Sequence, residues 1–144
     1  MFVVDARQGI YAFDITHPGA PKLVRKVADT NGFRIAAAGN YAYVAFQDHM
    51  KIYDISRLPN AITPLGSASY AHTAASYPAQ GIKIYDVYAY IVGSNIEVLV
   101  LEISHPSAPK LAGALESNTI SWQVVGTGGI IFTASGGLKV FTRQ

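Results

Sequence analysis

The chain has 144 residues, half of them hydrophobic and only 14% charged, with a formal net charge of +2. This balance builds a large core and excludes a disordered chain, and 11 scattered Lys and Arg residues exclude a nucleic-acid surface. The absence of cysteine removes disulfides, thiol nucleophiles and zinc-thiolate sites, and no apolar run reaches the roughly 18 residues that a membrane span needs.

Taken in chain order, the elements read as short strands rich in Val, Ile, Tyr and Phe and bounded by Gly, Pro, Asn and Ser. The start, Met1-Phe2-Val3-Val4-Asp5, has neither a basic segment nor a long apolar stretch, so it is no signal peptide. It reads as the middle of a strand. Residues 1–33 hold three predicted strands, at 2–5, 10–15 and 22–27. Residues 34–81 hold four, at 34–38 (A), 41–46 (B), 50–55 (C) and 63–69 (D). Residues 82–121 repeat the set at 82–85, 88–92, 98–103 and 110–117. Residues 122–144 hold three, at 122–125, 130–134 and 138–141. By alignment the first group is B-C-D and the last A-B-C.

The segments repeat. Ile15-Thr16-His17-Pro18-Gly19-Ala20-Pro21-Lys22-Leu23 returns as Ile103-Ser104-His105-Pro106-Ser107-Ala108-Pro109-Lys110-Leu111. A looser copy runs from Tyr53-Asp54-Ile55-Ser56 to Pro64-Leu65-Gly66. Tyr41-Ala42-Tyr43-Val44-Ala45 returns as Tyr88-Ala89-Tyr90-Ile91-Val92 and, more loosely, as Ile130-Ile131-Phe132-Thr133-Ala134. Aligning Phe13, Tyr53, Leu101 and Phe141 gives spacings of 40, 48 and 40 residues. A period near 40 to 50 with several strands per unit is the signature of propeller blades. Seven of the eight extra residues fall between Asp54 and Ile82, in the long D–A loop at 70–81, and one falls between strands B and C of the third group.

The expected fold is therefore all-β: a β-propeller-type repeat of four-stranded antiparallel blades, about three and a half of them. The end groups sum to six strands, whereas a blade shared between two ends needs four. Two copies of the chain meet the same count at each junction. The expectation is a fragment of a larger propeller, or a member of an assembly that covers both ends.

The repeat resembles the LVIVD family of propellers. The matching residues are the aromatic B strand at 41–45, the C-strand ending Ile52-Tyr53-Asp54-Ile55-Ser56, and the Pro-x-x-Pro turns at Pro18 and Pro21 and at Pro106 and Pro109. His17 and His105 stand where such turns more often carry Asp, and Glu102 and Thr142 replace the C-strand Asp. The resemblance implies the propeller fold and an extracellular or cell-envelope setting. It implies no single activity.

No catalytic, cofactor or metal signature emerges from the residues. His17 and His105 recur in one turn, as turn residues do, and Asp14 and Asp54 recur as strand-end caps. The glycines at 126, 128 and 129 precede a strand, not a helix, so they read as a hairpin and not a phosphate loop. The residues that do not recur are the candidate binding set: His49, in the B–C hairpin after Asp48; Tyr70, His72 and Tyr77, in the long D–A loop; and Trp122, at the last A strand. In a propeller these two loop types open on one face. His49 and His72 lack ligand spacing and read as exposed loop residues. Trp122 reads equally as core.

The expected role is a non-catalytic binding or scaffold propeller whose partners are proteins or other copies of the chain. The rivals are a metal-dependent enzyme with its site on the loop-rich face, and a structural filament or shell subunit.

Overall fold

The computed structural model describes residues 1–70, 78–127, 130–134 and 136–142. All its regular structure is β. Sheet I is β1 (Phe2–Asp5), β2 (Gly9–Asp14) and β3 (Lys22–Val27). Sheet II is β4 (Arg34–Ala38), β5 (Tyr41–Ala45), β6 (His49–Asp54) and β7 (Thr63–Ser69). Sheet III is β8 (Ala79–Tyr85), β9 (Tyr88–Glu102) and β10 (Lys110–Ile120), and sheet IV is β11 (Gln123–Thr127), β12 (Ile130–Ala134) and β13 (Leu138–Thr142). Each sheet is an antiparallel meander in chain order. Among the described residues no helix is long and apolar enough to cross a membrane.

Strand β9 departs furthest from expectation, since two strands are predicted within it. A straight strand of 15 residues would be ~50 Å long. Yet the Ile103 amide donates to the Val87 carbonyl at 2.8 Å, as the Ile55 amide does to the Asn40 carbonyl at 2.9 Å in sheet II. The ends of β9 therefore lie side by side, and the strand folds back on itself. One arm pairs with β8 (Tyr85↔Tyr88) and the other with β10 (Lys110↔Glu102). Sheet III thus has the four arms A to D. Its A and D strands run beyond their predicted limits because they follow this longer hairpin to its tip, at Ala79↔Gly93 and Ile120↔Ser94.

The sheets stack face to face. Strand periodicity sends alternate side chains to opposite faces, so sheets II and III each bury one face against the preceding sheet and the other against the following one, and sheets I and IV each bury one face. Ile10 and Ala12 of sheet I meet Ala42, Val44 and Tyr53 of sheet II. Tyr43, Ala45, Met50 and Ile52 of sheet II meet Ala89, Ile91, Leu99 and Leu101 of sheet III. Tyr90, Val92 and Val98 of sheet III meet Val124 and Ile131 of sheet IV. Full burial of a Leu, Ile or Val side chain contributes about 1.5–3 kcal/mol, and these layers repeat it many times. The A strands form the inner row, with β4 against β8 and β8 against β11. Sheet I has no A strand, and β1 takes that place against β4. The repeated tyrosines pack between sheets as expected: Tyr43 and Tyr90 are buried. Each stands beside its partner of the repeat, Tyr41 or Tyr88, at ring distances of 6.5 and 6.4 Å.

Candidate functional site

Three backbone hydrogen bonds define the loop-rich face. Asn31 donates to the Ala6 carbonyl (2.7 Å), Tyr70 to Asp48 (2.9 Å) and Ser121 to Gly93 (3.1 Å). In each case the connection leaving a D strand is tied to the B–C hairpin of its own sheet. The two loop types share one face, as expected.

On that face the hairpin of sheet II stands out. It closes where the Phe46 amide donates to the His49 carbonyl (2.9 Å), leaving Gln47 and Asp48 at the tip. His49 Nδ1 lies 2.6 Å from Asp48 Oδ1. This contact holds the Asp48 carboxyl below the usual carboxylate range. The His49 ring stacks on Phe46, with centroids 4.5 Å apart and planes within 6°, and the Lys51 ammonium sits 4.9 Å from the Phe46 centroid. Phe46 itself is buried. Asn31, Phe46, Gln47, Asp48 and His49 line an open depression of about 380 Å³. It presents a carboxylate, an imidazole and an amide on an aromatic base.

Beneath lies a polar cluster that the sequence reading missed. Lys51 Nζ bridges both oxygens of Asp29, at 3.1 and 2.8 Å. The Tyr53 hydroxyl donates to Asp29 Oδ2. Burial raises the Asp29 carboxyl, but the hydrogen bonds from Lys51 and Tyr53 and the Lys51 charge outweigh it, and the net pKa is lowered. Burial, followed by the bond to Asp29, pushes the Tyr53 phenol well above its ordinary value. A signal existed: Lys51 interrupts the apolar face of a C strand, and a lysine there needs an anion. Asp29 comes from the connection between sheets I and II, 22 residues away.

A second polar group lies on the opposite face. The Ser104 hydroxyl donates to Glu102 Oε1 (2.6 Å) and lies 3.1 Å from His105 Nδ1. Its content is that of a nucleophile triad, but the single hydroxyl proton is given to the carboxylate and not to the imidazole. The same turn recurs twice. The Thr16 amide and hydroxyl donate to Asp14 Oδ1, and the Ser56 amide donates to Asp54 Oδ1. Hydrogen bonds from Thr16 and Ser56 hold both carboxyls below their ordinary value. Recurrence in three sheets marks a turn device.

The sequence candidates are placed as follows. His49 lines the depression. Tyr70 is corrected: it is 2% exposed, and its hydroxyl donates to the Phe46 carbonyl at 2.7 Å. It anchors the hairpin from below and is no contact residue, because the core between sheets II and III takes its ring. His72 and Tyr77 lie outside the described residues. Trp122 is 60% exposed, which removes the core reading within this chain. Its amide donates to the Ala134 carbonyl (3.0 Å), as that of Phe33 does to Ala45 (2.9 Å), so it stands at the loop-rich end of the inner row. Arg34, unforeseen, is on the same rim. Its Nε donates to the Gln80 carbonyl (2.6 Å) and its Nη2 to Gln80 Oε1 (3.0 Å), joining sheets II and III. Among the described residues no three His, Cys, Asp or Glu side chains converge as metal ligands would.

Comparisons with known proteins bear on the fold. No curated protein matches the chain. Among solved structures, the periplasmic gluconolactonase PpgL of Pseudomonas aeruginosa is similar with a TM-score of 0.74 at 12% identity, over 98% of this chain and 48% of that one. The computationally designed Ika8 protein gives 0.72 at 12% identity, over 98% and 42%. The designed Ika4 protein gives 0.70 at 12% identity, over 98% and 83%. The chain thus spans less than half of two of these three structures, which are propellers. Residues 31–62 and 78–116 match the LVIVD repeat. With that repeat matched twice and propellers as its structural neighbours, the chain carries LVIVD repeats in a fold of the β-propeller kind.

Proposed function

We propose that this propeller is a non-catalytic binding module that contacts a protein partner through the loop-rich face, with the Phe46–His49 hairpin and Trp122 as its contact points. The observation that carries this reading is the distribution of residues that do not recur. Asp48, His49, Arg34 and Trp122 share one face, whereas the triad-like group on the other face repeats as a turn. A scaffold keeps its repeats for packing and varies its loops for contact. An exposed Trp and a stacked aromatic base are the residue types that dominate protein contacts. The resemblance to the LVIVD family adds the expectation of an extracellular or cell-envelope setting.

The test is selection of a phage-displayed peptide library against the 144-residue chain, with Trp122→Ala and His49→Ala as counter-targets. Peptides that bind the wild type and lose at least tenfold in affinity for either variant support the reading. Selected peptides indifferent to both substitutions overturn it. So does a stoichiometric metal, found by elemental analysis, that His49→Ala removes; that result favours the metal-dependent enzyme.

A further inference from the structure

We propose that two copies of this chain pair edge to edge through strand β10, antiparallel and about a two-fold axis at Gly113. The surface is the outer rim of the stacked sheets and not the loop-rich face, so the proposal stands apart from the reading above. The D strand is the outermost strand of each four-arm sheet. Among the described residues β7 pairs only with β6, and β10 only with β9. One edge of each is therefore open. In sheet II this holds although sheets I and III pack on its two faces, so the open edge belongs to the D position within a blade.

The three D strands guard that edge differently. An open strand edge is a template for another strand, and proteins blunt it with charge, with proline or by keeping it short. Strand β3 reads Lys22-Leu23-Val24-Arg25-Lys26-Val27, so it is studded with cations and has no anion to offer a second copy. Strand β7 carries Pro64, which has no amide to donate. Strand β10 runs for 11 residues without a proline, and between Lys110 and Glu116 it carries no charge. A bulge does not set it apart, because the same shift against the C strand falls at Val24, Leu65 and Ala112.

The unguarded segment is complementary to itself. Lys110-Leu111-Ala112-Gly113-Ala114-Leu115-Glu116 reads alike from either end, except that its two outer residues carry opposite charges. A two-fold axis through Gly113 sets Lys110 opposite Glu116, Leu111 opposite Leu115, Ala112 opposite Ala114 and Gly113 opposite itself. Opposite charges and apolar pairs directly across an antiparallel ladder are the stabilising arrangement, and the symmetry makes each pair twice. The small residues at the centre leave room for the two sheets to approach. A slip of one residue sets Lys110 against Leu115 and Leu111 against Ala114, so the sequence specifies the register. A second copy is thus the occupant that matches the edge in charge, size and direction.

The chain has no cysteine, and a Cβ at Gly113 meets nothing within 4 Å, so Gly113→Cys places a single thiol on the axis. Residues directly opposite in an antiparallel pair lie about 4.5–5.5 Å apart at Cα, within the span of a disulfide. Under mild oxidation Gly113→Cys is expected to form a covalent dimer, and Ser67→Cys, on the guarded β7, to form none. Sedimentation of the wild type at micromolar concentration is expected to show monomer and dimer in equilibrium. Lys110→Glu and Glu116→Lys, each alone, are expected to weaken the dimer at least tenfold while the β circular-dichroism signal is kept. An equal mixture of the two is expected to restore it, because each supplies the charge that the other has lost. If either reversal does not fold, the cysteine comparison decides alone. A wild-type monomer, no covalent dimer of Gly113→Cys, as much from Ser67→Cys, or a mixture that pairs no better than its components overturns the proposal.

Discussion

The Tyr70 hydroxyl holds the Phe46 carbonyl at 2.7 Å from within the core. This bond couples the end of strand β7 to the hairpin on which His49 sits. Removing only the hydroxyl, in Tyr70→Phe, should cost about 1–2 kcal/mol, the range for a buried acceptor losing its donor. Tyr70→Ala should cost about 3–5 kcal/mol through the cavity it leaves. Urea midpoints measure both. An alanine variant as stable as the wild type would remove Tyr70 from the anchoring role.

The Asp29–Lys51 pair makes a prediction about acid. The folded state lowers the Asp29 pKa, so it binds that proton less readily than the unfolded chain does. The pair's contribution is complete above the ordinary value of 3.8 and is lost as pH falls through the lower folded-state value. Asp29→Asn should cost about 1–2 kcal/mol at pH 7, because Lys51 loses its anion. The gap between wild type and variant should narrow only below about pH 4. Equal gaps at neutral and strongly acid pH would contradict the charge assignment.

Gly66 on β7 lies at a close approach between sheets II and III. A Cβ there would stand 2.3 Å from the Pro106 carbonyl oxygen and 2.9 Å from the Pro109 ring. Both belong to the turn of sheet III. Gly66→Ala should destabilise the chain by about 1–3 kcal/mol, since the turn must move as a body. Thermal unfolding reads this directly. As a control, Gly113→Ala meets nothing within 4 Å and should change stability far less.

The turn reading of the recurring histidines is checked by His17→Asp and His105→Asp. Both side chains are exposed, and an aspartate hydrogen-bonds nearby amides in such turns. Each variant should lie within about 0.5 kcal/mol of the wild type. A loss of partner binding in either, measured with the selected peptides, would move the contact surface to the opposite face.

What the sequence determines by itself is the repeat and its strands. Periodicity and turn residues are local properties. Tyr43 and Tyr90 could be assigned to the packing between blades, and 88–92 and 98–103 could be read as two arms, because residues a few positions apart carry the pattern. The shared face of the D–A and B–C loops followed from the repeat, as did the turn role of Asp14 and Asp54. The placement of single polar and aromatic side chains depends on which sheet stands next to which. Tyr70 reads as a loop residue until β7 is packed against sheet III. Lys51 looks unmatched until the stacking of sheets I and II brings Asp29 over it. Trp122 stays undecided until β11 takes its place beside β8 and leaves the indole outside. These outcomes rest on contacts between residues tens of positions apart, made only when the faces of neighbouring blades close, and only the tertiary structure decides them.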